Sequence, residues 1–329
     1  MSKYRIGIIG FGKIARDQHL PAIAGTGAFE LAAVSNIGGS PPPSGVPAFP
    51  GYVEMLEAVA DLDAVAICTP PGPRRSIAAA CLAAGKHVLL EKPPAATVAE
   101  VGDIARRAAA VGKVAFATYH AQHNAAVKRA ADLLAGKTVK SLGVIWKEDL
   151  RQWHPGQDWI LEAGGFGIFD PGINALSILT RILPEPVFVS AAELFFPANR
   201  QAPIAARLTF GTGLASDGQL TGEFDWRQTG LQTWSISVET TDGTRLELTD
   251  GGSRLEIEGA PPFVGPADEY LDIYREFVER LADRRSNIDV APFQLVADAF
   301  LVAIRTEVAS FDFAGPSRTP PSSNRPNAD

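Results

Sequence analysis

Cysteine is nearly absent. The 329-residue chain has two, Cys68 and Cys81, and they do not stand in a C-x-x-C spacing, which excludes a disulfide framework, a zinc ribbon and a dithiol redox pair. One falls in an apolar strand and the other in an Ala-rich helix, where a buried free thiol is expected. Surplus positive charge is missing too: 30 Lys and Arg against 37 Asp and Glu give a net charge of −7, which removes the electrostatic basis for a broad nucleic-acid footprint. No apolar window approaches the ~20 residues that cross a bilayer. The N-terminus MSKYRIGIIG offers one short apolar run that leads straight into a glycine turn, without the cleavage site of a secretory signal. A cytoplasmic protein with no membrane partner is expected. No His/Asp cluster has metal-ligand spacing, and no metal is expected.

What is present is an ordinary globular composition, 46% apolar and 20% charged, at a length that favours two domains. Up to about residue 120, short apolar runs at 4–10, 29–35, 63–69, 87–91 and 114–119 alternate with helical patterns at 13–24, 53–60, 76–85 and 97–111. Thr97 is placed to cap Glu100. That alternation predicts an α/β fold, a doubly wound parallel sheet of Rossmann type over 1–120. Beyond it lie a helix at 123–134 and strands at 141–147, 187–194, 204–210, 218–226, 233–240 and 244–249 in which apolar and polar residues alternate. These predict an α/β domain over 121–313 with an open, mostly antiparallel sheet having one wet face. A helix is predicted at 270–280 and another at 292–311, the latter packing across both domains. The Pro/Ser/Asn-rich stretch 314–329 reads as a disordered tail.

The first strand ends in Gly10-Phe11-Gly12-Lys13-Ile14-Ala15, a G-x-G-x-x-A turn leading into a helix. Gly10 permits the turn, Gly12 admits a pyrophosphate to the backbone, Ala15 allows close helix–strand packing, and the helix N-terminus at Lys13 and Ile14 offers N–H donors. NAD-preferring sites usually carry an acid at the end of the second strand. Here Ser35-Asn36-Ile37-Gly38 stands instead: hydroxyl and amide to bond a ribose, no arginine to attract a 2′-phosphate, and no acid to repel one. NAD is the expected cofactor, with NADP tolerated. Thr69-Pro70-Pro71 would line the nicotinamide side. His19, near the same helix, reads as structural.

Glu91-Lys92-Pro93-Pro94 ends a buried strand at the edge where open α/β sheets bind ligands, so Glu91 and Lys92 are expected to contact the cofactor, and a proline after Lys92 can fix the turn that aims its amine. The stretch from Glu148 to Ser177 gathers an acid, aromatic rings, a histidine and the pair Asp170/Asn174. Set four apart on a helix, those two would share one face. Pro171 suits a first helical turn, so Asp170 also reads as an N-cap. Trp153, His154 and Trp159 supply the hydrogen-bonding and ring faces that suit a pyranose, with His120, Glu148 and Trp226 as further substrate contacts.

Together GFGKIA, the CTPP strand end, EKPP and DPGINALS resemble the glucose-fructose oxidoreductase, inositol dehydrogenase and MocA family, over residues 1 to about 312. GKIARDQHLPAI, WKED, RQWHPGQ, FDPGINALSI and TRILP resemble its branch of sugar 1-dehydrogenases acting on D-galactose and L-arabinose. The resemblance implies oxidation of an aldopyranose at C1 to its lactone, with Lys92, Asp170 and Asn174 as the catalytic set. The family commonly has a histidine where this chain has Asn174, and an amide cannot take up a proton. Hydride loss from C1 requires a base for the departing hydroxyl proton. Asp170 fits that part while Lys92 stabilises oxyanion charge; a desolvated Lys92 as base, oriented by Asp170, is the reverse assignment. Two other readings fit the same residues: a non-catalytic sugar or NAD sensor, and a dehydrogenase acting at another sugar or cyclitol carbon. D-galactose and L-arabinose differ in the C6 hydroxymethyl, so space near C5 decides between them. A homo-oligomer through the open sheet is also expected.

Overall fold

The computed structural model describes residues 3–36, 41–212 and 219–313. Ile37 and Gly38 of the ribose turn, the strand start Gly218 and the tail 314–329 lie outside the described residues.

Six strands form the first sheet among the described residues: β1 (Tyr4–Ile9), β2 (Phe29–Ser35), β3 (Ala48–Phe49), β4 (Ala64–Ile67), β5 (His87–Glu91) and β6 (Ala115–Thr118). All pairs are parallel, in the order β3-β2-β1-β4-β5-β6. The continuous apolar character of β1 is explained by burial on both faces. Ile6 and Ile8 enter one core with Phe11 and Phe29, while Ile9 enters the other with Val65 and Ile67. The helix after β1 opens with a π-helical turn, Ala15–His19, and continues as α1 (Leu20–Thr26). Helices α2 (Tyr52–Ala58), α3 (Pro71–Ala83) and α4 (Val98–Ala110) complete the layers, and Thr97 Oγ1 accepts the Glu100 N–H at 3.2 Å as expected. The two-residue β3 was not legible, because its Pro- and Gly-rich surroundings read as turn.

After α5 (Ala125–Leu134) comes the second sheet, nine-stranded among the described residues. It contains β7 (Val139–Lys147), β8 (Val187–Pro197), β9 (Ala205–Thr212), β10 (Leu220–Asp225), β11 (Thr233–Thr240), β12 (Arg245–Thr249), β13 (Arg254–Ile257), β14 (Phe263–Val264) and β15 (Ala303–Val308). The order is β14-β13-β12-β11-β7-β10-β9-β8-β15. Pairing is mostly antiparallel; β10 with β7 and β15 with β8 are parallel. The short α6 (Leu150–Trp153) follows β7, α7 (Phe169–Ile182) packs against α5 and β7, and α9 (Ala291–Val302) covers β8 and touches α7 and α4. Along β7, Val144 and Trp146 are buried and Ile145 between them is exposed, the one-wet-face pattern that the alternation predicts.

The predicted helix 292–311 is corrected: it stops at Val302, and the β-branched alternation of Ala303–Val308 adds a strand beside β8. A second difference concerns α8 (Glu269–Asp283), which returns to the first half of the molecule. Tyr270, Ile273, Tyr274, Phe277 and Leu281 join the core of Ile6, Ile8 and Phe29, with the Phe29 and Phe277 rings stacked at 5.9 Å. Asn287 then borders β6, its N–H donating to Ala115 O at 3.0 Å while its O accepts from Ala117 N–H at 2.9 Å. The nucleotide-binding half is therefore finished by residues far downstream.

Candidate active site

The strand order reverses between β1 and β4, and the crevice beyond their carboxyl ends is the place where such sheets take a dinucleotide. A cleft of about 620 Å³ lies there, lined by Gly10, Gly12, Ser35, Asn36, Thr69 and Pro70 among others. Gly10 has φ +86, and a Cβ on it would stand 2.8 Å from Thr69 N, so no side chain fits at this turn. A Cβ on Gly12 would meet nothing within 4 Å, so the backbone there borders open space. Thr69 Oγ1 is buried in the wall without a partner, an acceptor or donor suited to a ligand amide. These features fit a dinucleotide.

Several expected cofactor residues serve differently. Lys13 pairs with Asp17 on the solvent side and Ile14 is exposed, so at these positions it is the helix backbone that can face an anion. Pro71 is buried as the first residue of α3. Cys68 is half-buried: it packs against the core of Ile6, Ile8 and Phe29 and also lines the cleft. Cys81 is buried, and burial pushes its thiol up to about 12.

Glu91 is a correction. Its carboxylate is buried inside the protein, not on the cofactor: Oε1 lies 2.9 Å from His19 Nε2 and accepts from Tyr270 Oη at 2.8 Å, while Oε2 accepts the Lys92 N–H at 3.0 Å. Burial opposes its charge, but the bond and charge of His19, with Arg74 and Tyr270, hold Glu91 at about 2. For His19 burial likewise opposes charge, and Cys68, Tyr274 and Glu91 raise its pKa well above that of a free imidazole. Its structural reading stands, in a stronger form: it anchors Glu91, the last residue of the strand before Lys92. Arg74 donates to the main-chain oxygens of Glu91 and Pro93, gripping the turn on both sides of a cis Lys92–Pro93 bond.

Across from this turn, Gly167 adopts φ +53, where a Cβ would strike Pro203 O at 2.3 Å, and its carbonyl accepts the Asp170 N–H at 2.9 Å. That tight approach sets the first turn of α7. Asp170 is not the N-cap: Ile168 holds that place and makes no side-chain cap bond. The carboxylate, favoured by the helix dipole, turns outward instead. Its Oδ1 lies 3.2 Å from Lys92 Nζ and its Oδ2 3.3 Å from His154 Nε2, and Lys92 Nζ also donates to the Asp170 main-chain O at 2.8 Å. One turn on, Asn174 Oδ1 is buried with no hydrogen-bond partner.

Glu148, at the end of β7, is buried and accepts from Trp226 Nε1 at 2.9 Å and Trp234 Nε1 at 2.8 Å. Burial raises its pKa; the two indole bonds and Lys92 oppose this, and Asp170 adds to it. Trp226 is fully buried, so it is not the substrate contact expected; it fixes Glu148 and packs edge-on against His154 at 5.5 Å. Trp234 escaped the sequence reading because it sits in an alternating strand like any core aromatic. Trp153, 49% exposed, donates from Nε1 to Gln232 Oε1 at 2.6 Å, and Trp159 is 42% exposed; both present open ring faces. His120 stacks on Tyr270 with ring centroids 5.7 Å apart and lies 2.9 Å from Glu269 Oε2.

A Rossmann cleft next to a lysine–aspartate–imidazole cluster defines a two-domain dinucleotide oxidoreductase. Residues 4–119 match the family model of the oxidoreductase family with an NAD-binding Rossmann fold. Galactose 1-dehydrogenase of Pseudomonas fluorescens is 43% identical over 94% of this chain and 99% of its own. The chain belongs to this oxidoreductase family, and NAD(P) binding is the family's property. The crystal structure of D-galactose-1-dehydrogenase from Rhizobium etli superposes with a TM-score of 0.88 at 47% identity, covering 95% of this chain and 99% of that one. A 3-ketoreductase from Actinomadura kijaniata, solved with NADP, shares the fold alone, at a TM-score of 0.76 and 20% identity over 93% of this chain and 100% of its own.

Proposed function

We propose that the protein is an NAD(P)-dependent aldose 1-dehydrogenase that oxidises C1 of a pyranose, D-galactose or L-arabinose, to the lactone. The observation that carries this reading is the convergence of Lys92 Nζ and His154 Nε2 on the two oxygens of Asp170, together with a full-length relative whose name states that activity. Bound NAD(P) supplies the hydride acceptor. The chain's own part is to bind the sugar, orient it and take its proton.

In this reading Asp170 accepts the C1 hydroxyl proton as the hydride leaves C1. The Lys92 ammonium lowers the cost of negative charge on that oxygen in a site partly shielded from water. Asn174 offers its unpartnered oxygen to a neighbouring sugar hydroxyl, and Glu148, held by two indoles, is a rigid acceptor for another. The exposed rings of Trp153 and Trp159 suit the apolar face of a pyranose. NAD preference over NADP is supported by the cleft lining: Ser35 and Asn36 at the ribose end, no Lys or Arg among the described residues, and the acid Glu54.

The experiment is NAD(P)H formation with D-galactose, L-arabinose, D-fucose and D-xylose, followed by product analysis. C1 oxidation yields a lactone that hydrolyses to an aldonic acid and acidifies the medium. A keto sugar as product, or sugar binding by calorimetry without any reduction, overturns the reading. Asp170→Ala is expected to lower kcat by about 10²–10⁴-fold with dinucleotide affinity kept. Equal turnover removes Asp170 from the chemistry.

A further inference from the structure

The catalytic scheme leaves one proton without a destination. A carboxylate that takes a hydroxyl proton must lose it before the next turnover, and the groups around Asp170 differ in their capacity to receive it. Lys92 as ammonium has no lone pair, and its Nζ is engaged by both the carboxylate and the main-chain oxygen of Asp170. Asn174 is an amide. Glu148 turns its two oxygens to the indole N–H groups of Trp226 and Trp234 rather than to Asp170. His154 is what remains. It stands at the carboxyl end of α6 with Nε2 3.3 Å from Asp170 Oδ2 and its ring edge-on to Trp226. Its Nδ1 lies 3.5 Å from Gln157 Oε1. With its hydrogen on Nδ1, donated to Gln157 Oε1, the ring presents the Nε2 lone pair to Asp170, and this is the tautomer that can take a proton from a protonated Asp170. The side chain is about a quarter exposed, twice as much as that of Asp170, so it is the more open of the two to solvent.

We propose that His154 is the outlet of a two-step proton relay, receiving from Asp170 the proton that Asp170 takes from the sugar. The proposal rests on the sugar-oxidation reading above. In the first step the C1–O–H bond breaks with its proton going to an Asp170 oxygen. The freed electron pair forms the C1=O bond, and the C1–H hydrogen leaves with its pair to the nicotinamide, so the sugar is oxidised by two electrons and the dinucleotide reduced by two. In the second step the new O–H bond of Asp170 breaks as an N–H bond forms at His154 Nε2. The carboxylate is restored beside Lys92, and the imidazolium releases its proton to water. Burial lowers the pKa of His154, partly offset by the Asp170 charge and reinforced by Lys92. The relay thus uses an imidazole from the α6 loop where Asn174 on α7 cannot serve.

Two measurements test this. In wild type, kcat should fall as pH drops through the ionisation of His154. In His154→Gln that limb should vanish and kcat at neutral pH should fall on the order of 100-fold, at the low end of general acid–base effects, with KM much less changed and added imidazole restoring part of the rate. Independently, NMR of 13C-labelled histidine in the sugar-free protein, which has five histidines to assign, should show His154 titrating at lower pH in Asp170→Asn than in wild type, because the offsetting negative charge is gone. An unchanged kcat–pH profile in His154→Gln, or an unmoved His154 midpoint in Asp170→Asn, overturns the relay. The NMR arm keeps His154 intact and needs no turnover. Failure of wild type to oxidise any sugar would refute the sugar-oxidation reading, while the NMR arm still reports whether Asp170 and His154 are coupled.

Discussion

Asn174→Leu separates what the protein needs for stability from what the site needs for its ligand. Asn174 Oδ1 is buried without a partner, and leaving a buried acceptor unmade costs about 1–3 kcal/mol. Exchanging the two ends of the amide would strand an N–H₂ group in the same place, so the cost does not depend on which way it points. Leucine has nearly the same shape and no polar atom. In sugar-free buffer the variant should therefore be more stable, by about 1 kcal/mol after repacking losses, which raises the thermal midpoint by roughly 2–4 °C for a unit of this size. With sugar the sign reverses: a hydroxyl that had donated to the amide loses its partner, and affinity should fall roughly three- to tenfold, the equivalent of a neutral hydrogen bond of about 1 kcal/mol. Differential scanning calorimetry with and without D-galactose, and isothermal titration with the sugar, read both halves. A lower midpoint without sugar, or an unchanged affinity, refutes the assignment of Asn174 as a ligand-facing acceptor.

Other perturbations address the cofactor cleft and the buried network. Asn36→Arg places a cation at the ribose end of a cleft lined by no basic side chain among the described residues and should raise kcat/KM for NADP relative to NAD by about tenfold; an unchanged ratio puts the ribose pocket elsewhere. Glu91, held at about 2 against an ordinary 4.5, contributes about 3 kcal/mol of stability. Because its folded pKa is depressed, that contribution is complete above about pH 4.5 and is lost as pH falls towards 2. Glu91→Gln should lower stability at neutral pH and flatten its decline over that acid window, measured by urea denaturation at several pH values; a parallel decline in both proteins would show that Glu91 does not govern it. The raised pKa of His19 acts at the other end: its contribution is present below about pH 6.5 and is lost as pH rises through the elevated value, so His19→Gln should flatten the alkaline decline.

The sequence made the cofactor loop legible because its logic is local. Gly10, Gly12 and Ala15 are required by a turn, an approach and a helix contact within six residues. The Lys92/Asp170 pair was legible only in part, since each residue advertises itself at an element end while their meeting depends on how two domains pack. Trp226 and Glu91 show the limit. A tryptophan and a glutamate beside a site look like ligand contacts in one dimension, and only burial reveals that one fixes Glu148 and the other belongs to a network with His19 and Tyr270. The helix predicted at 292–311 failed for a related reason. Apolar content there is high throughout, and the switch from helix to strand at Ala303 is decided by the open edge of β8, a partner more than a hundred residues away.

The return of α8 to α1 has a consequence for how the protein is made. Tyr270 and Tyr274 supply two partners of the Glu91–His19 pair, and Phe277 closes the apolar core over Phe29 and Phe116. A nascent chain that has emerged only to residue 120 holds the glycine loop and the Lys92 turn but leaves a charged pair and a set of aromatic rings open to water. Domains usually fold as they leave the ribosome, N-terminal first. Here the core of the first domain waits for α8, so it is not complete until residues beyond 280 have left the ribosome.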